Sequence, residues 1–174
     1  SVKTAAKQSA NDSPATLQRV LPQRWSLYVF EAAELALFMI SACACTVFLF
    51  DPAYPLVTLI PNPVARRMLM GIAMGITAIL IIHTPMGKRS GAHFNPAITL
   101  TYLRLGKITP RDAIFYVVFQ FCGGVAGVAF AALFLRNSIA DPSVNYAVTI
   151  PGQYGTAAAF LAELFMGTLL MGVV

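Results

Sequence analysis

Apolar residues run almost unbroken through four stretches of this chain, and short polar segments rich in proline and basic residues separate them. The first stretch, Trp25 to Phe50, is long enough to cross a bilayer, whose hydrocarbon core takes roughly 20 helical residues. Trp25 and Tyr28 stand at its start as interfacial aromatics. The second runs from Met68 to about Thr84, and its Gly71 and Gly75 form a GxxxG spacing that predicts close approach of another helix. The third, Ala113 to Leu135, holds no charged residue and has Gln120 as its one strongly polar side chain. Its Gly123, Gly124 and Gly127 permit tight packing. The fourth begins at Ala157 and continues to Val174. Residues 1–24 lack a sustained apolar face and are expected to form a polar tail. Residues 136–156, with turn signals at Asp141–Pro142 and Pro151–Gly152, are expected to form a loop.

Between the second and third spans lies a segment that fits neither pattern. In Ser90–Leu100, Asn95 is a strong helix N-cap residue, Pro96 suits the first helical position, and Ala97 to about Leu105 offers a short apolar helix. Nine residues rise roughly 13 Å, which reaches only about halfway through some 30 Å of hydrocarbon. Such a half-helix, entered through a glycine-containing extended lead-in, predicts a re-entrant loop over about residues 88–105. Non-helical backbone at membrane depth must be buried in protein or line a water-filled cavity.

Composition and charge narrow the class. The chain has 174 residues, 57% hydrophobic and 11% charged, with a mean hydropathy of +0.71, which marks an all-α integral membrane protein rather than a soluble domain. The net charge of +5 does not imply a nucleic-acid partner, because the basic residues flank apolar spans and act as topology signals. Nine of them (Lys3, Lys7, Arg19, Arg24, Lys88, Arg89, Arg104, Lys107 and Arg111) would share one side, against Arg66, Arg67 and Arg136 on the other. The positive-inside rule therefore puts the N-terminal tail and the entry of the half-helix on the cytoplasmic side, and residues 136–156 outside. Cys43, Cys45 and Cys122 lie within apolar runs and support neither a disulfide framework nor a metal site. His83 and His93 have no metal-ligand spacing. No nucleophile elbow, phosphate loop or convincing catalytic carboxylate pair is present, so neither an enzyme nor a cofactor is expected.

Two carboxylates lie inside apolar spans, Glu34 and Glu163, where an ionisable group is costly and faces the bundle interior. They are expected to accept hydrogen bonds from irregular re-entrant backbone; a proton relay, as in an ion- or proton-coupled transporter, is the competing reading. Glu31, nearer the interface, is expected to face solvent or headgroups. Phe30–Glu31–Ala32–Ala33–Glu34–Leu35 also resembles Phe160–Leu161–Ala162–Glu163–Leu164, with the two Ala-Glu-Leu triplets 129 residues apart (163 − 34). Three full spans lie before the second copy, and an odd number gives a repeat of inverted orientation. Residues 25–135 then form one repeat, and residues 157–174 begin a second that stops at Val174. Were 174 residues the whole product, a non-conducting membrane scaffold would be a further reading.

The eleven residues Ser90–Leu100, SGAHFNPAITL, resemble the first Asn-Pro-Ala loop of the aquaporin, or major intrinsic protein, family. The resemblance extends to Ala33–Glu34–Leu35 in the first helix, Gly71 to Thr77 in the second, Tyr116, Gln120, Gly124 and Gly127 in the third, and Val148–Gly152 with Phe160–Thr168 toward the fourth. It implies a passive channel for water or small neutral solutes such as glycerol, excluding protons and ions, with six helices and two half-helices per monomer and four monomers per assembly in the cell's inner membrane. Asn95, Pro96 and Ala97 would then form the pore motif, carbonyls of Gly91, Ala92 and His93 would line the wall, Glu34 and Glu163 would brace loops, and Met74 would stand at the selectivity filter. A second Asn-Pro-Ala loop is expected about 129 residues after the first, past Val174. Gly167 stands where many members carry threonine, and Met74 where water channels often carry an aromatic residue.

Overall fold

The fold is entirely helical over the described residues, 14–173, of a computed structural model. In chain order the helices are α1 (Pro14–Phe50), α2 (Leu56–Leu59), α3 (Pro63–His83), α4 (Pro85–Ser90), α5 (Pro96–Arg104), α6 (Pro110–Leu135), α7 (Asn137–Ala140) and α8 (Gly155–Val173), with a single 3-10 turn at Asn145–Ala147. Parts of α1, α3, α6 and α8 are long and apolar enough to cross a membrane, and these are the four expected spans.

The polar residues between the spans set where the helices begin. Four of them open on a polar cap followed by proline: Asn62–Pro63, Thr84–Pro85, Asn95–Pro96 and Thr109–Pro110. In each, the cap side chain accepts a backbone N–H of the first turn, and proline fills a position whose own N–H would have no partner. The sequence repeats this pattern at Ser13–Pro14, and α1 starts at Pro14, inside the stretch expected to be tail. The remainder of that tail, residues 1–13, lies outside the described residues. Pro85–Arg89, expected only to break the second span, forms the short helix α4, because Thr84 caps it through Gly87 N.

The core is the seam between α1 and α6, the most extensive helix pairing in the molecule. A Cβ on Gly123 would overlap the Ala32 carbonyl, and one on Gly127 would collide with Ala36; glycine at these two positions lets the backbones touch. At one end of the seam Cys43, Val47, Ala131, Ile139 and Val144 form a buried cluster. At the other, Trp25 and Tyr28 pack on Phe115 and Phe119. The helix approach expected at Gly71 and Gly75 is not made within this chain. Both positions have nothing within 4 Å, because α3 turns its Ala73–Thr77–Ile81 side toward α1, where Thr77 and Ser41 share a 2.8 Å hydrogen bond. Helix α8 stands apart, exposed along its length, and meets the rest through Thr101 and Met171.

Candidate functional site

The segment from Gly91 to Asn95 joins α4 to α5 without helical structure, and its backbone is unusual. Gly91 (φ 94°), Ala92 (φ 48°) and Phe94 (φ 26°) all have positive φ, a region that costs side-chain-bearing residues energy and persists only where the surroundings hold it. The holding groups are two carboxylates on α1. Glu31 accepts the N–H of His93 through Oε1 at 3.0 Å and that of Phe94 through Oε2 at 2.8 Å. Glu34 accepts the Ser90 hydroxyl at 2.9 Å, and Ser90 Oγ in turn accepts the N–H of Ala92 at 3.0 Å. Three successive loop N–H groups are thus held, directly or through Ser90, by acidic side chains, an anion-cradling arrangement of backbone in which the anion belongs to the protein.

Glu31 corrects the sequence-based expectation. It is fully buried rather than facing solvent or headgroups, and it, not Glu34, contacts the loop backbone directly. The reason is helical geometry: residues three apart lie only about 60° apart around the axis, so both carboxylates share the face on which the loop packs. A buried carboxylate needs several donors, and Glu31 has a third in Gln120 Nε2, at 2.8 Å from Oε2.

Gln120 extends the network from α6 to α5. Its amide also donates to Thr99 Oγ1 at 3.0 Å. Thr99, already accepting there, is set to donate to His93 Nδ1 at 3.2 Å. The His93 ring is buried against Tyr102 at 4.6 Å and Tyr116 at 5.1 Å, and Tyr116 donates its hydroxyl to the Ser90 carbonyl at 3.0 Å. Glu31, Glu34, Thr99 and Gln120 are all at 0% exposure, so the loop is tied to three helices by a solvent-free polar network. Two of its acceptors, Glu34 Oε2 and Gln120 Oε1, have no partner among the described residues.

Other polar groups of the loop have no partner within the described residues. Asn95 caps α5, with Oδ1 accepting Ala97 N at 2.8 Å and Pro96 as the first helical residue. That single role occupies the amide oxygen and leaves both Nδ2 hydrogens without an acceptor among the described residues. Likewise, no described residue donates to the carbonyls of Gly91, Ala92 or His93. These groups precede the N-terminus of a nine-residue helix, whose aligned peptides place about half a positive charge there.

Other expected site residues lie outside this network. Met74 is half-buried on α3, on the side turned toward α1. Glu163 is exposed on α8 and accepts no hydrogen bond from the loop. Among the described residues no cluster of His, Cys, Asp or Glu could hold a metal. Sequence reasoning assigned no role to Glu31, Thr99, Tyr116 or Ser90. A usable signal was the Tyr116/Gln120 pair, one turn apart in an otherwise apolar span and facing the Glu31/Glu34 pair.

Comparison with known proteins follows the same lines. The sequence profile of the family described as Major intrinsic protein matches residues 22–174. The chain is 37% identical over 105 residues to aquaglyceroporin AqpS of Rhizobium meliloti, covering 59% of this chain and 42% of that protein. It is 30% identical over 158 residues to aquaporin-B of Dictyostelium discoideum, covering 87% of this chain and 50% of the relative, and 26% identical over 111 residues to aquaporin Z of Rhodopseudomonas palustris, covering 60% and 46%. The chain therefore spans half or less of the length of these relatives. No solved structure gives a significant match.

Proposed function

The chain belongs to the major intrinsic protein family, and from that premise we propose that it builds one half of a passive transmembrane channel for water and small neutral solutes such as glycerol. The observation that carries this reading is a loop whose N–H groups are taken by α1 carboxylates while its carbonyls have no donor among the described residues. Glu31 takes the N–H groups of His93 and Phe94, so the carbonyls of Gly91, Ala92 and His93 are left to accept from a permeating molecule. Asn95, its oxygen committed to Ala97 N, donates from Nδ2. A file of water or the hydroxyls of glycerol finds both partners it needs, and neither requires transfer of a proton. The positive end of α5 opposes cations, hydronium included.

In this proposal Asn95–Pro96–Ala97 opposes a second Asn-Pro-Ala loop entering from the other leaflet, and Glu163 braces that loop as Glu31 and Glu34 brace the first. An open apolar groove of about 490 Å³ between α1 and α6, lined by Leu35, Met39, Phe121 and Gly124 among others, receives part of the second repeat. Met74 stands at the filter in place of an aromatic residue, so selectivity is not strictly for water. Four copies assemble in the cell's inner membrane with the N-terminus cytoplasmic, and the unoccupied Gly71 and Gly75 face of α3 meets a neighbouring subunit.

The test is osmotic shrinkage of liposomes carrying these residues joined to the C-terminal half of the Rhizobium meliloti relative. The expected result is faster shrinkage than in protein-free liposomes, with no dissipation of a pH gradient, and loss of the acceleration in Asn95→Leu. Shrinkage that is no faster than in empty liposomes, although the protein is inserted, would overturn the proposal.

A further inference from the structure

The two ends of the bundle differ in charge. At the end where α6 begins, Arg89, Lys107 and Arg111 are exposed, and each lies over an aromatic ring: Arg89 on Phe30 at 5.3 Å, Lys107 on Tyr102 at 4.9 Å and Arg111 on Phe115 at 5.9 Å. Among the described residues at this end, Glu31 and Glu34 are sealed in the core, and Asp112, nearer the surface, is already engaged. It accepts the Tyr28 hydroxyl at 2.6 Å, the Thr109 hydroxyl at 2.6 Å and Arg24 at 3.3 Å, so it does not neutralise Arg89, Lys107 or Arg111. At the opposite end Arg66 is turned inward to the Leu49 carbonyl at 3.0 Å, and Asp51 and Asp141 offset part of the charge.

The geometry around Arg111 matches a lipid headgroup rather than a soluble anion. Phe115, beneath the guanidinium, packs edge-on against Trp25 at 5.4 Å, and Trp25 is 46% exposed, as an indole at headgroup depth should be. Directly along α6 follow Ile114 and Val118, both exposed, which offer acyl chains an apolar track below the cation. A cation lying on a ring keeps its outward N–H groups unpaired and pre-oriented at small entropic cost.

We propose that this end of the bundle is a docking surface for anionic glycerophospholipid, with Arg111, Lys107 and Arg89 contacting headgroup phosphates and the Trp25–Phe115 pair setting their depth. Each basic residue next to an acidic membrane surface contributes a factor of up to about five. The surface therefore favours anionic over zwitterionic lipid well beyond its share of the bilayer, and independently of any channel activity.

The chain has one tryptophan, so its fluorescence reports on this place alone. The full chain is reconstituted in vesicles of phosphatidylcholine and phosphatidylglycerol, with bromine on the acyl chains of one or the other at equal mole fraction. Brominated phosphatidylglycerol is expected to quench Trp25 more strongly, and high salt to reduce the difference by screening. R89Q, K107Q and R111Q together should abolish it, whereas R66Q, R67Q and R136Q at the opposite end should leave it intact. Equal quenching by the two lipids in the unaltered chain would overturn the proposal, as would loss of the preference in the opposite-end variant. The lipid comparison and the salt titration need no variant, so they decide the matter even if the triple substitution fails to insert. R111Q alone, at an exposed position, gives the partial loss expected.

Discussion

The α1–α6 seam and the flanks formed by α3 and α8 carry the same two sequence devices, with opposite outcomes. Glycines four apart occur at Gly123/Gly127 on α6 and at Gly71/Gly75 on α3; the first pair touches the backbone of Ala32 and Ala36, and the second has nothing within 4 Å. Carboxylates within apolar helices occur at Glu31 and Glu34 on α1 and at Glu163 on α8. The first two are sealed from solvent, whereas Glu163 is exposed. A spacing or a charge in an apolar run thus announces that an interface is available. Which surface fills it depends on what else packs there, and only the α1–α6 seam has the Gly91–Asn95 loop pressed against it.

The largest effect that tests this contrast comes from Glu31. Glu31→Ala leaves two loop N–H groups without an acceptor and Gln120 Nε2 with Thr99 Oγ1 alone, and at about 1–3 kcal/mol per unsatisfied buried group it should cost about 2–6 kcal/mol, read as a drop in thermal stability in detergent by circular dichroism. Glu34→Ala should cost about 1–2 kcal/mol, since it strands one hydroxyl. An equal loss for both would mean that the loop does not distinguish them.

The glycine pairs should move in opposite directions. Gly123→Ala forces a methyl group into the Ala32 carbonyl and should destabilise by about 1–3 kcal/mol. In the monomeric chain Gly71→Ala meets open space and should stabilise the helix by roughly 0.5–1 kcal/mol. Asn95→Ala removes a helix cap and should cost about 1 kcal/mol, a smaller loss of stability than at Glu31. Glu163→Gln should change the stability of this chain by less than about 0.5 kcal/mol, as expected at an exposed position; a large loss would show that α8 packs against the rest in solution.

Much of this architecture is legible in the sequence, because its determinants are local. The four spans follow from uninterrupted apolar runs, and the short helix from Asn95–Pro96 and the residues after it. The same polar-residue–proline pair marks the start of α3, α4 and α6. The carboxylate assignment was not legible. Glu31 and Glu34 lie on one helix face, and the residue that meets the loop backbone is decided by the depth at which Gly91–Asn95 crosses α1. That depth is set by the contact of α4 with α1 and by the glycine seam, both of them long-range. Gly71/Gly75 has no partner within the described residues for a related reason: glycine spacing permits close approach but names no partner.

Glu31 fixes the Gly91–Asn95 loop by holding the N–H groups of His93 and Phe94, and the proposed role of the loop carbonyls depends on that hold. Hydrogen exchange at these two amides, followed by NMR in detergent micelles for the unaltered chain and for Glu31→Gln, tests it most directly. Both amides should be strongly protected, and in the variant both should exchange at least about tenfold faster, the loss expected when a charge-assisted bond gives way to a neutral one, while amides in the middle of α6 keep their rates. Rapid exchange at His93 and Phe94 in the unaltered chain, or protection that survives the loss of the Glu31 carboxylate, would contradict this role for Glu31.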